Sequence, residues 1–189
     1  MDLTMDKEIS ECLYTAIVTD TGQFQYSNTT SVTHQIAGDL LNNGVNAPEM
    51  YERIYQSNSK EKLLLTKEVL NTLEFFNNDS ISCISLSKKQ MEAVNAKEED
   101  SDGLINLARD IEGVETAVFL RELDENKIKV GFRSKRIVDV SKIAERFGGG
   151  GHKRASGCTV CGTLEQVKSD IIEAVAKEIR QGEKHERDN

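Results

Sequence analysis

Gly148-Gly149-Gly150-Gly151-His152-Lys153-Arg154 combines four consecutive glycines with a histidine and two cations. Such a glycine run costs chain entropy, so it belongs where the backbone must bend or approach something closely. Without side chains, its N–H groups can converge on an anion. His152 would add a side-chain donor, and Lys153 and Arg154 would add positive charge. A flexible surface loop is the competing reading. It fits poorly with a segment abutting an amphipathic stretch on one side and a strand-like run on the other. Shortly upstream lies Phe132-Arg133-Ser134-Lys135-Arg136. Here an arginine fork and a serine hydroxyl could take the same phosphate oxygen or base edge. Alone, this segment reads equally well as solvated charge. Its nearness to the glycine run favours a ligand.

Other candidates are weaker. Thr19-Asp20-Thr21-Gly22 closes a helical stretch, and a carboxylate there could ligate a hard divalent cation. An Asx-turn has the same composition and is the commoner meaning. Cys158-Thr159-Val160-Cys161 has the spacing of half a zinc site or a redox pair. It also reads as a strand, which would put the two sulfurs on opposite faces, and no second pair exists. Ordinary thiols are the better reading. His34 lies in a helical stretch with no acid or cysteine patterned around it, and His185 lies near the C-terminus.

The whole chain is acidic: 24 Lys and Arg against 32 Asp and Glu in 189 residues, a net −8. That disfavours a protein that coats long nucleic acid through charge alone. Residues 127–154 reverse the sign, with nine basic side chains and two acids, +7 against −15 for the remainder. A local reversal of this kind can hold a phosphate-bearing ligand without making the entire surface adhesive. Four cysteines are too few for a disulfide scaffold. No long apolar run spans a membrane, and the acidic N-terminus is not a signal peptide. A cytoplasmic location and no membrane partner are the default expectations.

The elements that must position these residues follow from periodicity. Residues 6–19 are expected as a helix capped by Asp6, with a short extended piece over 23–28. A second helix starts at Thr30 or Ser31 and stops at Asn42-Asn43-Gly44. Ala47-Pro48-Glu49 opens a third. Asn58 with Glu61 suggests a capped fourth, with Leu63, Leu64, Val69, Leu70, Leu73 and Phe76 on its apolar face. The pattern then changes near residue 78. Strands are expected over 81–87, 114–122 and 127–134, the last two joined by a turn at Asp124-Glu125-Asn126. Helices are expected over 102–111 and 138–147. A strand over 157–160 precedes a final helix, for which Thr163 and Gln166 form a capping box. The fold class is α/β of the α+β kind. A helical region over 1–78 precedes a mixed sheet flanked by helices over 79–182, with a disordered tail over 183–189.

Phe147 to Gly157, preceded by Phe132-Arg133-Ser134-Lys135, closely resembles the DHH-associated domain of DHH-family phosphoesterases. Leu13 to Phe24, followed by Asn28-Thr29-Thr30, looks like the fourth motif of the same family's catalytic domain. Within the family, the bacterial oligoribonuclease and adenosine-bisphosphate phosphatase group, which also includes cyclic-di-adenylate phosphodiesterases, is the nearest in kind, and the resemblance implies metal-dependent hydrolysis of an oligoribonucleotide, adenosine bisphosphate or cyclic dinucleotide. The resemblance implies two lobes, with two manganese ions in the catalytic lobe. By position, Asp20 matches a metal ligand, while Arg133, Ser134, Gly148, Gly149, Gly150, Gly151 and His152 match substrate-gripping residues. Ser156 stands where the family usually has alanine. The family's first three metal-binding motifs are absent from these 189 residues. The chain is therefore expected to be a C-terminal part, inactive alone, whose partners are a nucleotide or short single-stranded RNA or DNA. Helical faces that would pack on a missing lobe are open to self-association as a homodimer. The alternatives are a binding module without catalysis and a relative of single-strand-specific exonucleases.

Overall fold

A computed structural model describes the backbone of residues 5–124 and 126–187 and the side chains of 5–124 and 126–182. Glu125 of the expected turn and His185 lie outside the described side chains. The chain divides into two compact units after Asn58.

The first unit contains three helices. α1 (Lys7–Asp20) begins where the Asp6 carboxylate accepts from Ile9 N–H at 2.8 Å. α2 (Ser31–Asn42) begins at Thr30, whose hydroxyl forms a capping box with Thr33. α3 (Ala47–Tyr55) carries Pro48 in its first turn, where a missing N–H costs nothing. The extended piece expected over 23–28 is instead a run of turns. Gln23 and Phe24 have φ of 61° and 66°, and Phe24 N–H donates to the Thr21 hydroxyl at 3.0 Å. Local side-chain capture of the backbone outcompetes a strand that has no partner to pair with.

The second unit is built on a six-stranded mixed sheet of order β1-β2-β3-β4-β6-β5. Its strands are β1 (Glu74–Phe76), β2 (Ile81–Leu86), β3 (Thr116–Asp124), β4 (Lys127–Ser134), β5 (Gly150–His152) and β6 (Ala155–Cys161). β2 and β3 run parallel; the other neighbours are antiparallel. The helices of this unit are α4 (Lys60–Leu70), α5 (Lys88–Ala93), α6 (Leu104–Arg109), α7 (Val140–Arg146) and α8 (Leu164–Arg187), with a 3-10 turn at Glu98–Ser101. α8 starts at the expected Thr163–Gln166 box and runs through most of the segment expected as a tail.

The two faces of the sheet are covered unequally. One face packs Val118, Leu120, Ile128, Val130 and Phe132 against α7 and α8, where Ile143, Ile171, Val175 and Ile179 are buried. The other face packs Ile84, Leu86 and Ala117 against Leu65 and Val69 of α4 and Leu104, Ile105 and Ala108 of α6. That cover lies over β2 and β3. Accordingly β2 is buried on nearly every residue, while β4 alternates exposed and buried from Lys127 onward. On that second face the residues of β6 and β5 are exposed or half-buried, while Ile105 of α6 reaches Gly131 of β4.

α4 belongs to the second unit, so the change of region expected at residue 78 lies earlier in space. Its start also differs from expectation. Ser59, not Asn58, caps it, accepting from Lys62 N–H at 3.0 Å and donating to Asp100 Oδ1 at 2.6 Å. Leu65, not Leu63 or Leu64, is the buried leucine, and Phe76 belongs to β1. α6 is shorter than expected because Gly103, at φ 84°, starts it late.

Hydrogen bonds from the Ser59 hydroxyl and then from Lys97 N–H hold the Asp100 carboxyl below its ordinary range. A depressed pKa stabilises the folded state above the unfolded value and loses that contribution as pH falls through it. Asp100→Asn is therefore expected to lower the urea midpoint at neutral pH. The gap from wild type should close as pH drops below about 4. A gap unchanged at low pH would contradict this clasp.

Candidate functional site

The glycine run does not form the expected nest at its start. Gly148 N–H donates to Glu145 O at 3.1 Å and Gly149 N–H to Ala144 O at 2.9 Å, so both close the end of α7. Gly150 and Gly151 instead begin β5, which turns at Lys153-Arg154 and pairs back on β6. The glycines serve close approach. A Cβ on Gly149 would lie 2.7 Å from Cys158 Cα, and one on Gly151 would lie 2.6 Å from Ser156 Cα.

A convergence of backbone N–H groups does exist, at the loop after β4. The Glu115 carboxylate accepts from Arg136, Ile137 and Val138 N–H, the Ile137 bond at 2.6 Å. An internal carboxylate thus occupies the anion-holding backbone. Ser134 is part of the same knot. It is buried, and its hydroxyl donates to Val138 O at 2.7 Å, so the structure does not bring it to the surface. Arg154 donates to Val138 O at 2.8 Å and also to Arg136 O. Lys135 Nζ donates to Ile111 O at 2.7 Å. Much of the basic segment is therefore spent on bracing carbonyls.

The strand register brings Arg133 and His152 together. Arg133 pairs with Ala155 on β6, and Ala155 pairs with His152 on β5. Directly opposed residues share a face. Arg133 and His152 therefore occupy one cross-strand row on the second face. They are two strands apart, about 10 Å at the usual strand spacing. Between them stands only the alanine methyl. His152 is exposed, while Arg133 is half-buried and donates to Phe132 O at 2.9 Å. The neighbouring row joins Phe119, Gly131, Gly157 and Gly150, and the next joins Arg121, Lys129 and Thr159.

Of these rows, Arg133, Phe119, Gly131, Gly157, Arg121 and Lys129 line a cleft of about 510 Å³, with the 3-10 turn and the start of α6 on its other side. The sequence reading missed Arg121. It is buried in the cleft wall, 3.2 Å from the Ser101 hydroxyl and 3.5 Å from Glu98. Period two along β4, which aligns residues 129, 131 and 133, was the available signal.

Asp20 lies in the first unit at the end of α1, and its carboxylate accepts from the Asn28 amide at 3.1 Å. Among the described residues, no three His, Cys, Asp or Glu side chains converge as a cation would require. The described side chains therefore do not by themselves make a two-manganese site. His34 stacks on Phe24 with ring centroids 4.8 Å apart. Cys158 is buried, which pushes its thiol up to about 11, whereas Cys161 is exposed. Neither the zinc nor the redox reading of that pair survives. Among the described residues, no helix is long and apolar enough to cross a membrane.

Comparison with known proteins agrees with this architecture. The DHHA1 domain profile matches residues 86–181, just over half of the chain. The chain is 36% identical over 173 residues to the bifunctional oligoribonuclease and PAP phosphatase NrnA of Thermus thermophilus. It is 30% identical over 160 residues to the protein of that name from Bacillus subtilis. These alignments cover 91% and 82% of this chain but 51% and 49% of the relatives. Among solved structures, an exopolyphosphatase-related protein from Bacteroides fragilis superposes with a TM-score of 0.86 at 32% identity. That match covers 91% of this chain and 51% of the other. The chain thus spans about half the length of these relatives.

Proposed function

The chain belongs to the DHHA1-domain family, and from that premise we propose that it is the nucleotide-holding part of a phosphoesterase. Its substrates would be short oligonucleotides or small nucleotides, as the names of the Thermus and Bacillus relatives suggest. The observation that carries this reading is the Arg133–Ala155–His152 row on the second face of the sheet. An arginine fork and an imidazole spaced across two strands can grip one phosphate from two sides. The surrounding knot fixes the strand ends that present them. Ser134 acts as a positioning residue through Val138, and the glycines act by letting β5 lie against β6. Asp20 would offer one carboxylate to manganese, with the remaining ligands supplied from outside the described residues.

A binding module without catalysis is the second reading. It is favoured by the absence of a convergent ligand set among the described residues. Titration with adenosine 3′,5′-bisphosphate and with a short oligoribonucleotide tests the shared part. Arg133→Ala is expected to weaken both by about tenfold or more, since hydrogen bonds to charged groups contribute roughly 1.5–3 kcal/mol. His152→Ala is expected to act in the same direction. Affinity unchanged in both variants would overturn the site. Adding manganese and following phosphate ester cleavage separates the two readings. Turnover by this chain would remove the binding-module reading.

A further inference from the structure

Cations at the end of the positive segment gather at a second place. Arg136 in the loop after β4, Lys142 in the first turn of α7 and Lys153 in the β5–β6 turn line one cleft of about 410 Å³, together with α8. All three side chains are exposed. The acids that reach this cleft are committed elsewhere. Asp139 caps α7, accepting from Ser141 N–H at 3.2 Å and from the Ser141 hydroxyl at 2.6 Å. Glu178 pairs with Arg146 at 2.8 Å. Three cations from three elements thus meet two carboxylates that already have donors. The backbone holds the cations in place. Arg136 N–H donates to Glu115, and Arg136 O accepts from Arg154. Lys153 O accepts from Val140 N–H at 3.0 Å. Like charges held together repel one another, and a multivalent anion relieves that repulsion.

We propose that this cleft binds a linear condensed phosphate, a di- or triphosphate chain, and that the bound chain stiffens the β5–β6 turn. Separated cations can each meet a phosphate group of such a chain, and the cleft is of a size that holds ligands larger than one phosphate. Among the described residues its lining has no aromatic ring, so a nucleobase has nothing to stack on. Lys153 follows His152 in the turn, and Val140 N–H ties that turn to α7. An anion bridging Lys142 and Lys153 therefore clamps the turn to α7. Any consequence for ligand binding at His152 rests on the function proposed above; the cleft itself does not.

The test is calorimetric titration of the full 189-residue chain with sodium tripolyphosphate, in wild type and in an Arg133→Ala background where the row does not compete. Tripolyphosphate is expected to bind about tenfold or more tightly than orthophosphate. Lys142→Ala and Lys153→Ala, both at exposed positions, are each expected to weaken it about tenfold. Lys127→Ala, an exposed lysine at the opposite end of β4, is expected to change it less than about twofold. Bound tripolyphosphate is expected to slow hydrogen exchange of the Val140 amide severalfold. Adenosine triphosphate is expected to bind no more tightly than tripolyphosphate. Equal losses in all the lysine variants, or losses in none, would overturn the site. Adenosine triphosphate binding about tenfold tighter would overturn the condensed-phosphate assignment. An unchanged Val140 exchange rate would overturn the stiffening. Tripolyphosphate binding lost in Arg133→Ala protein with an unshifted urea midpoint would assign the anion to the row and overturn the cleft. The proposed function stands or falls separately, on adenosine bisphosphate affinity in Arg133→Ala and His152→Ala.

Discussion

Gly151→Ala is expected to destabilise the second unit by roughly 2–5 kcal/mol, the combined scale of a strained φ and an overpacked contact. Gly151 has φ 144°, and a Cβ there would lie 2.6 Å from Ser156 Cα and 2.7 Å from Ala155 O. Both neighbours are backbone of the paired strand, so neither can move without opening the β5–β6 pairing. Gly149→Ala is expected to cost about 1–3 kcal/mol by overpacking alone, its Cβ falling against Cys158. Gly150 is the internal control. A Cβ there meets nothing within 4 Å, so Gly150→Ala should stay within about 0.5 kcal/mol of wild type. Urea unfolding of the three variants reads the difference. Equal effects at 149, 150 and 151 would mean that the run is needed for flexibility and not for close approach.

Glu115→Ala is expected to cost roughly 2–4 kcal/mol, because several charge-assisted hydrogen bonds end on that one carboxylate. Its removal strands the N–H groups of Arg136, Ile137 and Val138. The loop they belong to also receives Ser134 and Arg154, and Val140 N–H donates to Lys153 O at 3.0 Å. Loosening it should therefore disturb the turn of the β5–β6 hairpin as well. The variant is expected to lose affinity for phosphorylated ligands although Glu115 is not placed on the phosphate-binding row. Glu115→Gln keeps one acceptor oxygen and should recover part of both losses. A Glu115→Ala protein with an unshifted urea midpoint would contradict the role assigned to this carboxylate.

Local chemistry was legible wherever a segment decides its own conformation. Asp6, Thr30 and Thr163 cap helices as their side chains suggest, because the acceptor and the N–H it satisfies lie within three residues. The period-two alternation over 127–134 marks β4 for the same reason. Prediction slipped where a distant residue chose. Ser59 takes the cap of α4 from Asn58, helped by a hydrogen bond to Asp100, which lies far along the chain. That choice fixes which leucine of α4 turns inward.

The family, the order of most elements and the concentration of positive charge between Lys127 and Arg154 were legible before any fold was known. Each of these is carried by residue type and spacing. Which of those charges are committed to internal contacts is a matter of packing. Lys135 and Arg154 donate to backbone carbonyls, Ser134 is buried, and the converging N–H groups are filled by Glu115. Packing also decided that Arg133 and His152 share a row, a consequence of strand register. Register is set by which face of each strand the helices bury, and that is a property of the packed sheet rather than of either segment.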